Sequence, residues 1–168
     1  MKIIDKDIWV VETELKLFGA EFGNRMTVIR LSEGKLLLHS PVKISESLLG
    51  SVRELGEVGF IVTPNNFHGL FVEEWRKAFP QAKYFTAKEE KKTENLSFPL
   101  NSLRSAALGS SVEIIKIEGA PKVNEHAFIH KESHSLILTD LAFNIGSNIP
   151  FWSKVFFKLN GAFDKFGP

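Results

Sequence analysis

The chain contains no cysteine, so a disulfide scaffold, a thiolate metal site and a thiol nucleophile are all excluded. It lacks long hydrophobic runs: no apolar stretch approaches the ~18 residues that a membrane span requires. The opening MKIIDKDIWVV carries acids where a signal peptide has an unbroken apolar segment, and a cytosolic (cytoplasmic) location is the expectation. An excess of either charge is missing as well. The 21 Lys and Arg are offset by 20 Asp and Glu, for a net charge of +1. The two signs are interspersed, including in the stretch 88–94, which reads as a solvated loop or helix face. A nucleic-acid binder needs a clustered basic face to displace counterions, so no nucleic-acid partner is expected. No glycine-rich phosphate cradle is present, because Gly19 and Gly23 have no flanking GK[ST]. No serine sits in a G-x-S-x-G elbow, so nucleophilic catalysis has no support at the level of motif.

What is present suits one domain over residues 1–168. The apolar and charged fractions, 43% and 24%, are those of an ordinary soluble globular protein with one core. Ile8 to Val11 and Met26 to Leu31 read as β-branched strands separated by a loop containing Gly19 and Gly23. Gly34 turns the chain into a third strand at residues 35–39. Its three consecutive leucines predict burial on both faces. The spacing of Leu48, Leu49, Val52 and Leu55 predicts a helix capped by Ser45. A strand over 58–63 follows, then a helix carrying Phe71, Trp75 and Phe79 and closed by Pro80, then a short strand at 82–85. Strand, helix, strand, helix, strand indicates parallel pairing with crossover helices. The second half changes to alternating strands at 112–117, 123–130 and 136–139, the last two forming a hairpin around Lys131 to His134. The class is α/β, with two stacked sheets and helices outside.

The order of these segments resembles the metallo-β-lactamase superfamily. IWVV opens the chain, KLLLHSP stands where that superfamily has a leucine-rich strand ending in Asp, and FIVTPNNFHG stands where it has its His-x-His-x-Asp-His metal loop. SLILTDL occupies the place of the strand ending in a metal-bridging Asp. More narrowly, RMTVIRL, LLLHSPV, TPNNFHGLFVEEW and LILTDLAFN resemble the uncharacterised domain-of-unknown-function family 4336. The resemblance implies a four-layer αββα sandwich. Because the chain stops at Pro168, the expectation is a sandwich without the last strand and helix; a natural short form and a shortened chain both suit this.

The same resemblance implies a lost metal site. With His68 on the motif's last His, Thr63, Asn65 and Phe67 fall on its first His, second His and Asp. A divalent ion needs three or more N or O donors at about 2 Å, and neutral Thr and Asn are poor substitutes. The family's intermediate His falls near Pro121 or Lys122. Asp140 matches the bridging Asp. His126 and His130, four residues apart on a regular strand, would lie roughly 13 Å apart and could not share one ion. No metal and no cofactor are therefore expected.

The leading expectation is a non-catalytic, metal-independent descendant that binds a small ligand or a partner in the old cleft. His39, Asn65, Asn66, His68 and Asp140 would act there as hydrogen-bonding groups. Each also has a plainer role. His39 suits fixing the turn before Pro41, His68 suits packing at a helix start, Asn65 and Asn66 suit helix capping, and Asp140 suits capping a turn. The enzymatic alternative is a hydrolase with His68 as general base and Asp140 as its orienter or as a weak metal ligand, which requires the two side chains to converge within about 3–4 Å. A third reading rests on the aromatic stretch 149–166, with Phe151, Trp152, Val155, Phe156, Phe157, Leu159, Phe163 and Phe166 among Lys154, Lys158 and Lys165. Core packing, a homodimer contact and, less favoured, a membrane surface would each account for it.

Overall fold

The computed structural model describes residues 1–17, 20–87, 101–103, 108–144 and 166–167. Seven strands lie side by side in chain order: β1 (Lys2–Asp5), β2 (Ile8–Leu17), β3 (Ala20–Arg30), β4 (Leu36–His39), β5 (Val58–Thr63), β6 (Lys83–Thr86) and β7 (Asn101–Ser102). Neighbours from β1 to β4 are antiparallel, and those from β4 to β7 are parallel. A second, antiparallel sheet is formed by β8 (Val112–Lys116), β9 (His126–His130) and β10 (Ser135–Ile137), with β9 central. A short pair joins β11 (Phe143–Asn144) to β12 (Phe166–Gly167).

The leucine run shows why the layers form. Successive strand residues point to opposite faces. Leu36 and Leu38 pack with Val28 and Ile61 against Leu48 and Val52 of helix α1 (Glu46–Leu55) and Val72 and Trp75 of helix α2 (Val72–Ala78). Leu37 faces the other way, packing with Ile29, Val62 and Phe85 against Val112 and Phe128 of the second sheet. Helix layer, large sheet and small sheet are thus stacked in that order. No further helical layer is formed by the described residues. The aromatic stretch 149–166, apart from the backbone of Phe166, lies outside them, as do Gly19 and the stretch 88–94.

Two local features aim the chain at one end of the sandwich. Ser45 caps α1, its Oγ accepting from Leu48 N–H at 3.2 Å, as its spacing predicted. Helix α2 is pinned by Trp75, whose Nε1–H donates to the Val42 carbonyl at 2.6 Å. The segments after β4 and β5 are thereby held beside each other at the carboxyl ends of parallel strands, the usual location of ligand clefts in such sheets.

The β2–β3 region corrects the sequence reading. The expected loop around Gly23 is instead a long hairpin, paired from Ile8↔Ile29 to Leu17↔Ala20, with Gly23 opposite Glu14. Its outer arms alternate charged and apolar residues, with Leu15 opposite Phe22 and Leu17 opposite Ala20, and Arg25 pairs with Glu12 across the strands. Backbone ladder and cross-strand pairs hold it together. The strand expected from Val123 begins at His126, because Asn124 adopts a left-handed turn conformation, φ 53°.

Candidate functional site

Two loops meet where the sheets adjoin. The first runs from Thr63 through His68. Its backbone is tied to the second sheet: His126 N–H donates to the Pro64 carbonyl and Asn66 N–H to the Val123 carbonyl, both at 3.0 Å. The Asn65 side chain closes the turn, its Oδ1 accepting from Phe67 N–H at 2.8 Å and His68 N–H at 3.0 Å. It therefore caps this turn and not α2, whose N-cap is Phe71 with no side-chain hydrogen bond.

With Oδ1 committed to backbone donors, the Asn65 amide nitrogen must face the other side. It lies 2.7 Å from Asp140 Oδ2, 3.0 Å from Thr139 Oγ1 and 3.2 Å from Glu125 Oε2. Glu125 is fully buried. Its Oε1 accepts from Thr139 N–H at 2.6 Å and its Oε2 from Asp140 N–H at 2.9 Å, which fixes the second loop. One amide thus donates to two carboxylates at the seam between the sheets.

His68 stands beside them. Its Nε2 is 3.2 Å from each carboxylate oxygen of Asp140, and its Nδ1 is 2.5 Å from Ser40 Oγ. The convergence that the enzymatic reading required is met. Burial pushes the Asp140 carboxyl up, but the His68 hydrogen bond and charge, together with the Asn65 hydrogen bond, outweigh burial and hold it below the ordinary carboxylate value. An ionised Asp140 accepts His68 Nε2–H. When His68 is neutral, its Nδ1 lone pair accepts the Ser40 hydroxyl proton, so one tautomer satisfies the whole chain.

The other candidates lie differently. His39 is buried under the loop, edge-on to Phe128 at 4.6 Å, with Nε2 unpartnered among the described residues. Burial, and secondarily the nearby His68, lower its pKa from 6.5 to about 3, against the opposing effect of a hydrogen bond to its own backbone. It is a neutral imidazole. Asn66 turns away, donating from Nδ2 to the Lys122 carbonyl at 2.9 Å, and lines a small adjoining pocket of about 140 Å³ with Lys116 and Glu118. His126 and His130 are buried at opposite ends of β9, and His130 Nδ1 meets Ser133 Oγ at 2.7 Å within the hairpin turn.

Sequence reasoning missed Ser40 and Glu125. The available signals were slight: an acid entering a buried strand (Glu125-His126-Ala127-Phe128) and a serine ending one, before Pro41. Ser40 takes φ 58°, a left-handed conformation uncommon for residues other than glycine.

A metal would have to sit where the Asn65 amide directs its hydrogens. The first-His and Asp positions of the motif hold Thr63, which donates to Thr86 Oγ1 at 2.7 Å, and Phe67, which points into solvent at 63% exposure. Among the described residues, no group of three or more His, Cys, Asp or Glu side chains is placed to hold a metal ion. The donor set does not fit the ion that the fold's relatives would suggest.

The fold is similar to those of solved metallo-β-lactamases. The DIM-1 metallo-β-lactamase exposed to ceftazidime superposes with a TM-score of 0.68 at 12% identity, over 84% of this chain and 69% of that one. The metallo-β-lactamase from Pontibacter korlensis gives 0.58 at 14%, over 78% and 66%. The BLEG-1 B3 metallo-β-lactamase gives 0.53 at 12%, over 84% and 78%. No curated protein sequence matches the chain. At these identities the likeness establishes the fold, a metallo-β-lactamase-like sandwich, and leaves chemistry to the residues. The sequence model that matches, over residues 5–159, is that of the domain of unknown function DUF4336, and the chain belongs to that family.

Proposed function

We propose that this protein is a metal-independent member of the metallo-β-lactamase fold whose cleft binds a small, uncharged ligand. The observation that carries the reading is the Asn65 amide, which donates to both Asp140 and Glu125. Two carboxylates at a metal-type site repel each other unless a cation or a set of donors lies between them. Here the donor belongs to the protein, so the site is electrostatically complete without an ion.

Ligand chemistry follows from what the cleft offers. His68 and Asp140 keep about a fifth and a quarter of their side-chain surface exposed. Phe67 and Leu70, flanking His68 in sequence, are 63% and 64% exposed. With two carboxylates in the network against the single imidazole of His68, an anionic ligand is disfavoured. A neutral molecule with an apolar body and a hydrogen-bonding head complements these groups.

The test has two parts. Zinc, iron and manganese are counted per chain in protein purified without chelator, and thermal unfolding is followed with chelator and with excess zinc. Substoichiometric metal and an unchanged midpoint are expected; a full equivalent of metal, or a collapse with chelator, sinks the reading. Ligand-observed NMR with a library of neutral aromatic amides and alcohols then probes the cleft. Binders should be lost in the His68→Ala, Asp140→Ala double variant, and persistence of all of them would remove the assigned residues from the site.

A further inference from the structure

We propose that Ser40 is a nucleophile for acyl transfer, activated by His68 and oriented through Asp140, acting on small neutral esters. This rests on the metal-independent reading of the same cleft and names its chemistry. Neutral His68 has one N–H and one lone pair, and both are taken: Nε2–H by Asp140 at 3.2 Å and Nδ1 by Ser40 at 2.5 Å. His68 has no spare nitrogen for a substrate or a free water. The proton it is placed to accept is that of Ser40 Oγ, so a general base at this site implies a serine nucleophile.

The constellation is the serine–histidine–carboxylate arrangement with the two ring nitrogens exchanged, which leaves each group's role intact. Ser40 sits at the end of strand β4, before the turn into α1, at φ 58°. Strained residues of this kind persist where the surrounding structure fixes them. Here Ser40 N–H donates to the Val62 carbonyl at 2.9 Å and Pro41 follows.

The steps balance with water as the co-reactant. Ser40 Oγ bonds to the carbonyl carbon of the ester while its proton moves to His68 Nδ1. The carbon–alkoxide bond then breaks, and the leaving alcohol takes that proton. Water attacks the acyl-serine, passes a proton to His68 and releases the acid as Ser40 recovers its hydrogen. Asp140, a positioning residue, stays ionised and holds the imidazolium.

Two features set substrate and rate. Ser40 is fully buried, so an ester reaches its Oγ only through local opening of the site, which restricts the acyl group to a small one and slows acylation. Phe67 and Leu70, exposed on either side of His68 in the sequence, suit an apolar or aromatic alcohol portion. Pro41 has no N–H to offer the oxyanion, unlike the residue after the nucleophile in a serine-hydrolase elbow. A missing oxyanion donor costs roughly 10²–10³-fold in rate, so slow acylation is expected.

The experiment uses the absence of cysteine. Ser40→Cys introduces a single thiol, and its alkylation by iodoacetamide is followed against pH in the folded protein. If His68 is the base, the thiolate forms well below the ordinary thiol value of about 8.5, and adding His68→Gln returns the profile to that value. Wild-type protein is incubated with p-nitrophenyl acetate and with phenylmethanesulfonyl fluoride, and adducts are located by peptide mass. One adduct on Ser40 is expected, formed on the order of 100-fold more slowly in His68→Gln. A folded wild type unmodified at Ser40, an ordinary thiol profile, or acetylation indifferent to His68 would each overturn the proposal. Failure of this kind in metal-free protein leaves the ligand-binding cleft standing, whereas acetylation abolished by chelator removes both readings.

Discussion

At the scale of single residues, the site replaces an ion by an amide. Asn65 divides its side chain, giving its oxygen to two backbone N–H groups and its nitrogen to two carboxylates. The neighbouring His39 has the opposite economy: it is buried with Nε2 unpartnered, and its pKa falls from 6.5 to about 3. Because the folded state resists its protonation while the unfolded chain does not, stability is full above pH 6.5. It declines as pH falls from there towards 3. The loss from this one group should be about 2 kcal/mol by pH 5. The depressed Asp140 contributes in a different window, since its stabilisation is lost only as pH falls below the ordinary carboxylate value of 3.8. Replacing His39 by Leu, of similar volume, removes the titrating group and the unpartnered nitrogen together. Urea unfolding of His39→Leu should show equal or greater stability at pH 7 and a much flatter decline to pH 5. A wild-type slope retained in the variant would place the acid sensitivity elsewhere.

At the scale of elements, Trp75 ties the site to the helix layer. Helix α2 follows the 65–71 turn directly, and the Trp75 indole N–H on the Val42 carbonyl locks it against the segment after β4. Trp75→Phe leaves that carbonyl buried without its donor and opens a small void. Equilibrium unfolding should lose about 2–3 kcal/mol, whereas Lys77→Ala on the exposed face should change stability by less than about 0.5 kcal/mol. Elements like these were legible in the sequence because their signals are local. The Ser45 cap and the Leu48/Val52 spacing located α1, and the apolar run from Val58 located β5. The β2–β3 hairpin was hidden by its glycines: Glu12, Glu14 and Lys16 alternate with Thr13, Leu15 and Leu17 as in a strand, but Gly23, a loop marker by composition, lies within the ladder opposite Glu14. Of the site, His68 and Asp140 were visible through family likeness. Ser40 and Glu125 were not: their meaning lies in partners 28 and 60 residues away in the chain, His68 and Asn65.

At the scale of the whole molecule, the large sheet is common to both cores, and the site bridges the seam they share. Leu38 belongs to the helix side and Leu37 to the small-sheet side, although they are adjacent in β4. Truncating either to Ala should cost about 2–5 kcal/mol, since each is fully buried. If the shared sheet makes the layers one cooperative unit, both variants unfold in a single transition. In native-state hydrogen exchange, the slowest amides of β4 and β9 would then accelerate by the same factor in Leu37→Ala as in Leu38→Ala. Acceleration confined to β9 in Leu37→Ala would instead make the small sheet a separate unit. That outcome would bear on function, because Asn65 hangs from the large sheet while Glu125 and Asp140 flank strands of the small one. Opening the seam would pull the amide from both carboxylates at once, so a cleft of this design stays assembled only while the two sheets unfold together.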